Sequence, residues 1–246
     1  MYEKISIYGV SYNNVTLEEA ANLAEELLAE EKNHIVVTPN AEIAYRASKE
    51  EELRNILNNA DIAVADGIGV VYASKIYKTP VKAKVPGVEL GMKILENAAK
   101  NGRGVFFLGA KPGVGELAAE KVLEKVPGIN FVGIRDGYFK SDAEVIEDIN
   151  KSGADILFVC LGAPKQEQWM WEHKDEIKVK LMLGLGGSLD SYAGTVKRAP
   201  KIFIKLGLEW FYRLIKDPKR IGRMMALPKY MFAVIVDSFR KKGKKK

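Results

Sequence analysis

The chain has 246 residues, of which 47% are hydrophobic, and its 38 lysines and arginines outnumber its 32 acidic residues to give a formal net charge of +6. This length and apolar content allow one sizeable core and exclude a disordered chain. The single cysteine, Cys160, excludes an intramolecular disulfide, and its place in an apolar run favours a structural thiol over a nucleophile. The two histidines, His34 and His173, are far apart in sequence and supply a zinc site poorly.

The basic residues are concentrated towards the C-terminus. Residues 197–246 contain 16 of the lysines and arginines but 3 of the acids, so residues 1–196 carry 22 bases and 29 acids. This distribution predicts an anionic partner for the C-terminal segment: nucleic acid, anionic lipid or a polyphosphate. No signal-peptide pattern opens the chain and no apolar stretch reaches the roughly 18 residues that span a bilayer, so the expected location is the cytoplasm.

The first half of the chain alternates predicted strands with helices. Residues 5–10, 34–37 and 61–65 have strand patterns, a helix capped by Thr16 follows the first of them, and a short helix includes residues 53–57. The second and third strands end in Thr38-Pro39-Asn40 and Asp66-Gly67, small polar residues that precede helices. Residues 72–86 are predicted to form a lysine-containing connection, and residues 87–100 a helix.

The second half repeats this arrangement. Predicted strands at residues 104–108, 129–134, 156–161 and 181–185 alternate with helices at 114–126, 141–150 and 165 to about 177. Such alternation predicts an α/β fold, a Rossmann-like and mainly parallel sheet built from two βα halves. Ligands of such sheets bind at the carboxyl ends of the strands, where the polar loops lie.

The stretch of residues 154–171 is the strongest single candidate for a binding edge. Its apolar run stops at Gly162, and Gly162-Ala163-Pro164 turns into a helix that we expect to begin at Pro164. A strand, a glycine turn and a helix N-terminus together form an anion site. On this stretch alone, an ordinary βα loop is an equal alternative.

The character of the sequence changes after residue 195. Predicted helices at residues 202–215 and 230–239 combine aromatic and aliphatic residues with bases, which is typical of interfacial segments. We therefore divide the chain into a Rossmann-like domain, residues 1–195, and a basic helical appendage, residues 196–246. The alternative is a helical hairpin packed on the body, with a lysine tail that serves solubility.

No single motif in the sequence is sufficient to identify a function. Residues 109–115 lack the Gly-Lys-Ser/Thr of a triphosphate loop and the glycine spacing of a dinucleotide fingerprint. Asp66, taken alone, is as well explained as a turn-forming residue before glycine.

The ordered set of motifs is specific. It consists of Thr38-Pro39-Asn40-Ala41-Glu42, Asp66-Gly67-Ile68-Gly69, Val85-Pro86-Gly87, Phe107-Leu108-Gly109-Ala110-Lys111, Gly137-Tyr138-Phe139, Leu161-Gly162-Ala163-Pro164-Lys165-Gln166-Glu167, Gly186-Gly187-Ser188-Leu189-Asp190, Arg198-Ala199-Pro200 and Gly207-Leu208-Glu209-Trp210. Together these motifs, which cover nearly the whole chain, resemble the WecG/TagA/CpsF glycosyltransferase family. The resemblance implies an inverting transferase without metal or other cofactor, which moves an N-acetylmannosamine-type sugar from a UDP donor to a polyprenyl-diphosphate-linked sugar. In one branch the acceptor is undecaprenyl-diphosphate N-acetylglucosamine and the product enters wall teichoic acid, which would place the protein peripherally on the inner face of the cell membrane.

The resemblance also implies roles for individual residues. Asp66 matches the family's proposed catalytic base, with Thr38, Asn40 and Gln168 as polar pocket residues. The implied donor-binding residues are Gly109, Lys111, Gly162, Pro164, Lys165, Gln166, Gly187 and Asp190, and the implied basic residues of the appendage are Arg213, Arg220 and Arg223. One position departs from the pattern, because Lys84 stands where the family has arginine, and lysine lacks the planar fork that grips a diphosphate at two points.

The residues fit this chemistry without a metal. Displacement at an anomeric carbon needs a base for the acceptor hydroxyl and positive groups for the departing UDP. The Asp-x-Asp pair that binds a divalent ion in many glycosyltransferases is absent from the sequence, so cationic side chains and helix N-termini are expected to replace it.

Two rival functions come from the same basic segment. The first is a non-enzymatic protein that binds membrane or nucleic acid, although no known base-reading motif is present and nucleic acid is not an expected partner. The second is a transferase with a different UDP-sugar or a soluble acceptor, whose tail stabilises a homo-oligomer. The sequence leaves the donor sugar and the oligomeric state open.

Overall fold

The computed structural model describes residues 2–196, 199–200, 203, 209–216, 222 and 225–243. The strands are β1 (Lys4–Ile7), β2 (Val10–Asn13), β3 (His34–Val37), β4 (Ile62–Ala63), β5 (Gly104–Gly109), β6 (Asn130–Arg135), β7 (Ile156–Cys160) and β8 (Leu181–Gly184). The helices are α1 (Leu17–Leu28), α2 (Ala41–Ala47), α3 (Glu51–Asn59), α4 (Ile68–Ile76), α5 (Gly87–Lys100), α6 (Val114–Lys125), α7 (Asp142–Ser152), α8 (Lys165–Glu172), α9 (Ser188–Ala193), α10 (Glu209–Lys216) and α11 (Ala226–Gly243).

Six parallel strands form the central sheet, in the order β4-β3-β8-β7-β5-β6. The predicted Rossmann-like α/β fold is confirmed. The last strand, β8, lies between β3 and β7 and thereby joins the two halves of the sheet. Strands β3, β7 and β8 are buried at every residue, as expected where helices cover both faces of a sheet.

The helices divide between two cores, one on each face of the sheet. Helices α1, α5, α6 and α9 pack on one face, and α2, α3, α4, α7, α8 and α11 pack on the other. The helices that follow the neighbouring strands β3 and β8 therefore leave the sheet on opposite faces. A crevice at the carboxyl ends of two such strands is where α/β sheets bind ligands.

The predicted first strand at residues 5–10 is interrupted, because β1 ends at Ile7 and Val10 begins a second strand, β2. The segment forms part of a separate antiparallel hairpin, in which Ile7 pairs with Val10 across a turn at Tyr8 and Gly9. Both turn residues have positive φ, 52° and 85°, the conformation that tight hairpin turns require. Gly9 is a usual turn residue, but a tyrosine seldom adopts positive φ, so the pair Tyr8-Gly9 did not indicate a two-residue turn.

Several other boundaries differ from the predictions. Helix α4 occupies the start of the supposed connection at residues 72–86, because Val70, Ala73 and Ser74 point into the body. Helix α8 ends at Glu172, short of residue 177. Pro164 is the N-cap of α8 and not its first helical residue, since its carbonyl accepts the backbone N–H of Gln168.

The C-terminal helix α11 is packed against α2 and α4 along one face. Tyr230 and Val234 are buried there, and the Tyr230 ring meets the Tyr8 ring edge to face at 5.8 Å. A Cβ atom on Gly69 would lie 2.6 Å from Leu227 Cδ1, so the start of α11 touches the start of α4. At the other end of α4, the Tyr77 hydroxyl donates a hydrogen bond to Asp237.

Only part of the predicted helix at residues 202–215 lies within the described residues, and there α10 begins at Glu209. No helix in the described parts of the chain is both long and apolar enough to cross a membrane.

The Tyr77–Asp237 hydrogen bond should stabilise the docking of α11. We expect Tyr77→Phe to lower the free energy of unfolding by about 1–3 kcal/mol, because a hydrogen bond to a carboxylate is lost in a half-buried place. Urea unfolding followed by circular dichroism measures this, with Tyr72→Phe as control, since the Tyr72 side chain is exposed on the same helix. An equal loss in both variants would contradict a specific role for the bond.

Candidate active site

The crevice lies between the loop that follows β3 and the turn that follows β8. Thr38 is buried, and its hydroxyl donates to the Gly184 carbonyl oxygen at 3.1 Å, so it ties the end of β3 to the end of β8. Asn40 caps α2, because its Oδ1 accepts the backbone N–H groups of Glu42 and Ile43 at 2.9 and 3.1 Å. Its amide nitrogen makes no hydrogen bond within the described part of the chain and is available to a ligand.

Asp66 joins the same crevice from the loop after β4. The backbone N–H of Gly87, the first residue of α5, approaches Asp66 Oδ2 at 3.5 Å. A Cβ atom on Gly87 would lie 3.0 Å from Thr38 Oγ1, and one on Gly67 would lie 3.8 Å from Asn40 Cβ. The loop after β3, the loop after β4 and the start of α5 thus bring Thr38, Asn40 and Asp66 close to one another.

Asp66 and Lys84 lie close to each other along the chain of contacts at the start of α5. The Asp66 side chain is half-buried at the N-terminal end of α5, where the helix dipole favours negative charge. Lys84 belongs to the same loop cluster, because the next residue, Val85, donates its N–H to the Ala65 carbonyl oxygen at 3.0 Å. The lysine side chain is half-buried.

The turn after β8 forms the opposite wall. Gly186 has a φ of 55°, and a Cβ atom on either Gly186 or Gly187 would project into open space. Gln166 is buried, and its Oε1 accepts a hydrogen bond from the Gly186 N–H at 2.8 Å. It therefore contacts the turn from the core side. Asp190, predicted in a loop, lies in the first turn of α9, because the loop ends at the N-cap Gly187.

The remaining predicted donor-binding residues lie at the ends of β5 and β7. Gly109 has a φ of 127°, and a Cβ atom there would lie 2.4 Å from the Cys160 carbonyl oxygen, so glycine is required. Lys111 and Lys165 are exposed, and Lys165 Nζ lies 5.0 Å from the Phe139 ring centroid. Gly162 borders open space in the turn before Pro164. No described contact joins these residues to Asp66.

Four predicted residues are not linked to the crevice by the described contacts. Gln168 is half-buried on α8, with no described side-chain hydrogen bond. The backbone of Arg213 lies in α10, while Arg220 and Arg223 lie outside the described residues. Within the described residues, no group of three or more His, Cys, Asp and Glu side chains is arranged to hold a metal ion.

Comparison with known proteins decides the family. The model of the "Glycosyl transferase WecG/TagA/CpsF family" matches residues 5–244. The chain belongs to this family. It is 38% identical over 234 residues to a Staphylococcus aureus (strain MRSA252) protein named N-acetylglucosaminyldiphosphoundecaprenol N-acetyl-beta-D-mannosaminyltransferase, with 94% of this chain and 92% of the relative covered. A Bacillus spizizenii protein of the same name is 38% identical over 215 residues, which is 87% of this chain and 84% of the relative.

Cys160 is not a nucleophile of this glycosyltransferase. It ends β7 in the core, and burial raises the pKa of its thiol to about 12. The thiol therefore stays neutral, as the sequence indicated.

Glu167 is a buried carboxyl close to the crevice that the sequence analysis named only as part of a motif. Its side chain is 1% exposed, its Oε1 accepts a hydrogen bond from Gln166 Nε2 at 2.9 Å, and its Oε2 has no hydrogen-bond partner among the residues that the structure describes. Burial raises the pKa of the Glu167 carboxyl, and the hydrogen bond from Gln166 offsets this in part. The available signal was a glutamate within an apolar helical face, between Gln166 and Trp169-Met170.

The raised pKa of Glu167 predicts a pH-dependent stability. The folded protein holds this proton to higher pH than the unfolded chain, so ionisation of Glu167 lowers stability as pH rises above the ordinary value of 4.5 towards the folded-state pKa. Glu167→Gln removes that dependence. We expect the free energy of unfolding of the variant, relative to the wild type, to increase with pH by at most about 1.4 kcal/mol per pH unit.

Urea unfolding at a series of pH values measures this difference. Glu172→Gln is the control, because Glu172 is exposed on the same helix. A wild-type-to-variant difference that stays constant as pH rises would contradict a buried neutral carboxyl at position 167.

Proposed function

We propose that this chain transfers N-acetylmannosamine from UDP-N-acetylmannosamine to undecaprenyl-diphosphate-linked N-acetylglucosamine, with inversion, in the synthesis of wall teichoic acid or a related surface polysaccharide. The names of the Staphylococcus and Bacillus relatives support this reaction, since the chain covers most of each. The observation that carries the proposal is the convergence of Asp66, Thr38 and Gly87 at the carboxyl end of β3.

The proposed reaction is a single displacement. The acceptor hydroxyl oxygen attacks the anomeric carbon, the bond from that carbon to the UDP oxygen breaks, and Asp66 takes the hydroxyl proton. Thr38 and Asn40 orient the sugar in the crevice. Positive charge from Lys84, Lys111 and Lys165 stabilises the leaving diphosphate in place of a metal ion.

Product analysis tests the reaction. Incubation with a panel of UDP-sugars and a lipid-diphosphate N-acetylglucosamine acceptor should give transfer from UDP-N-acetylmannosamine, with no loss in the presence of a chelator. Transfer from another UDP-sugar would contradict the proposed donor. Activity abolished by chelator and restored by a divalent ion would contradict the metal-free mechanism.

Asp66→Asn tests the base. The substitution preserves size and the contact with the Gly87 N–H but removes the proton acceptor, so turnover should fall about 10²- to 10⁴-fold while UDP binding is kept. Asp175→Asn, at an exposed carboxylate, is the control. Near-normal turnover of a folded Asp66→Asn protein would mean that another group takes the proton.

A membrane surface is the proposed partner of the C-terminal segment. Opposite the buried side of α11, Phe232 and Phe239 are 71% and 67% exposed, and Ile235 is also exposed. Lys229 and Arg240 flank this apolar face. Apolar area edged by bases binds anionic lipid surfaces, where each base contributes about 1 kcal/mol. We propose that Arg213, Arg220 and Arg223 then reach the diphosphate and help to close the site.

Vesicle binding tests the apolar face of α11. Phe232→Ser with Phe239→Ser should weaken binding to phosphatidylglycerol vesicles at least about 10-fold, because two aromatic side chains no longer enter the lipid. Leu123→Ser is the control, since Leu123 is exposed on α6 at the other face of the sheet. Unchanged vesicle binding together with a change from oligomer to monomer would show that a second copy covers this face.

A further inference from the structure

Gln166 and Glu167 form a buried pair at the start of α8. The Gly186 N–H donates to Gln166 Oε1 at 2.8 Å, and Gln166 Nε2 donates to Glu167 Oε1 at 2.9 Å. Successive helical side chains normally diverge by about 100° around the axis, so their pairing requires both to turn into the same buried space. The two bonds fix the orientation of the Gln166 amide, with its oxygen towards the turn and its nitrogen towards Glu167.

The turn after β8 is thereby held from both sides. Thr38 donates to the Gly184 carbonyl oxygen on one side, and on the other a Cβ atom on Gly184 would lie 3.1 Å from Gln166 Nε2. Beyond this fixed point, Gly186 and Gly187 border open space. Without side chains to pack, these glycines depend on backbone hydrogen bonds for their position.

The acceptor at position 167 decides which way the Gln166 amide faces. An apolar side chain at position 167 would leave Gln166 Nε2 buried without a hydrogen-bond partner. Rotation of the amide, which moves this nitrogen away from the core, would then lower the free energy. Rotation would bring the amide N–H groups against the Gly186 N–H, two donors facing each other. Glu167 prevents this, although its own Oε2 is left without a hydrogen bond, a cost that native structures seldom retain without a reason.

We propose that Glu167 is a positioning residue of the transferase, which acts through the Gln166 amide to hold the Gly186–Gly187 peptide against the nucleoside diphosphate of the donor. The role rests on the proposed function. Glu167 touches neither substrate, because its side chain is enclosed in the core. It determines donor affinity by fixing the wall of the crevice before the donor arrives.

Two variants and a control test this role. Glu167→Gln keeps an oxygen that accepts from Gln166, whereas Glu167→Met removes it at similar volume. Met170→Leu is the matched control, because the Met170 side chain also packs under Gly184 but makes an apolar contact. The readouts are hydrogen exchange of the Gly186 amide, the Kd for UDP alone, and the donor KM and kcat.

Glu167→Met should lower the protection of the Gly186 amide and raise the Kd for UDP by about 5- to 10-fold, the loss that one broken hydrogen bond produces. The donor KM should rise more than kcat falls. Glu167→Gln and Met170→Leu should stay within about 2-fold of the wild type in UDP affinity.

Wild-type protection and UDP affinity in Glu167→Met would overturn the proposal, and so would equal losses in Glu167→Gln and Glu167→Met. A general loss of packing would instead weaken Met170→Leu to the same extent, which also counts against a specific role. If the wild type did not bind UDP, the proposed function would fail, while exchange at Gly186 would still decide whether Glu167 holds the turn.

Discussion

The hydrogen bond from Thr38 to the Gly184 carbonyl oxygen joins the two strands between which the crevice opens. Parallel pairing brings the ends of β3 and β8 side by side, but the helices that follow them leave on opposite faces of the sheet. The loops that follow β3 and β8 must therefore diverge at this point, and the Thr38 hydrogen bond holds the ends of the two strands together. Because the Thr38 hydroxyl is buried, solvent does not compete for this bond.

Glycine and backbone groups form much of the crevice. A Cβ atom on Gly87 would lie 3.0 Å from Thr38 Oγ1, which is tighter than most Cβ contacts, and the Gly87 N–H faces Asp66. On the opposite wall, Gly186 and Gly187 leave open space. The polar side chains of the crevice, Asp66 and Asn40, are held at the N-terminal ends of α5 and α2. Such fixed polar groups stabilise developing charge without reorganising during the reaction.

The fold and the position of the polar loops at one edge of the sheet were largely predictable from the sequence, because apolar strands and glycine turns are local signals. The run before Gly162 predicted β7, and the Thr38 and Asp66 loops were correctly placed at one edge of the sheet. The hairpin at Tyr8 and Gly9 was missed, because a tyrosine seldom adopts positive φ and the single glycine was not sufficient to indicate a two-residue turn.

Features that depend on tertiary packing could not be predicted from the sequence. The burial of Glu167 depends on how α8 lies against the sheet, and α11 gave an amphipathic pattern that did not reveal which face meets the body. Tyr230 and Val234 face α2 and α4, whereas the phenylalanines face outwards. The C-terminal helix thus contacts α2 and α4, the helices whose N-caps are Asn40 and Gly67. A change in its packing would therefore also affect the crevice.

The most direct test of the crevice as the transfer site is a crystal structure with UDP-N-acetylmannosamine and an acceptor analogue that lacks the lipid. We expect the donor sugar between Thr38 and the Gly186–Gly187 turn, with an acceptor hydroxyl within about 3.2 Å of an Asp66 carboxylate oxygen. A donor bound elsewhere on the sheet edge, with the acceptor hydroxyl out of reach of Asp66, would contradict the account.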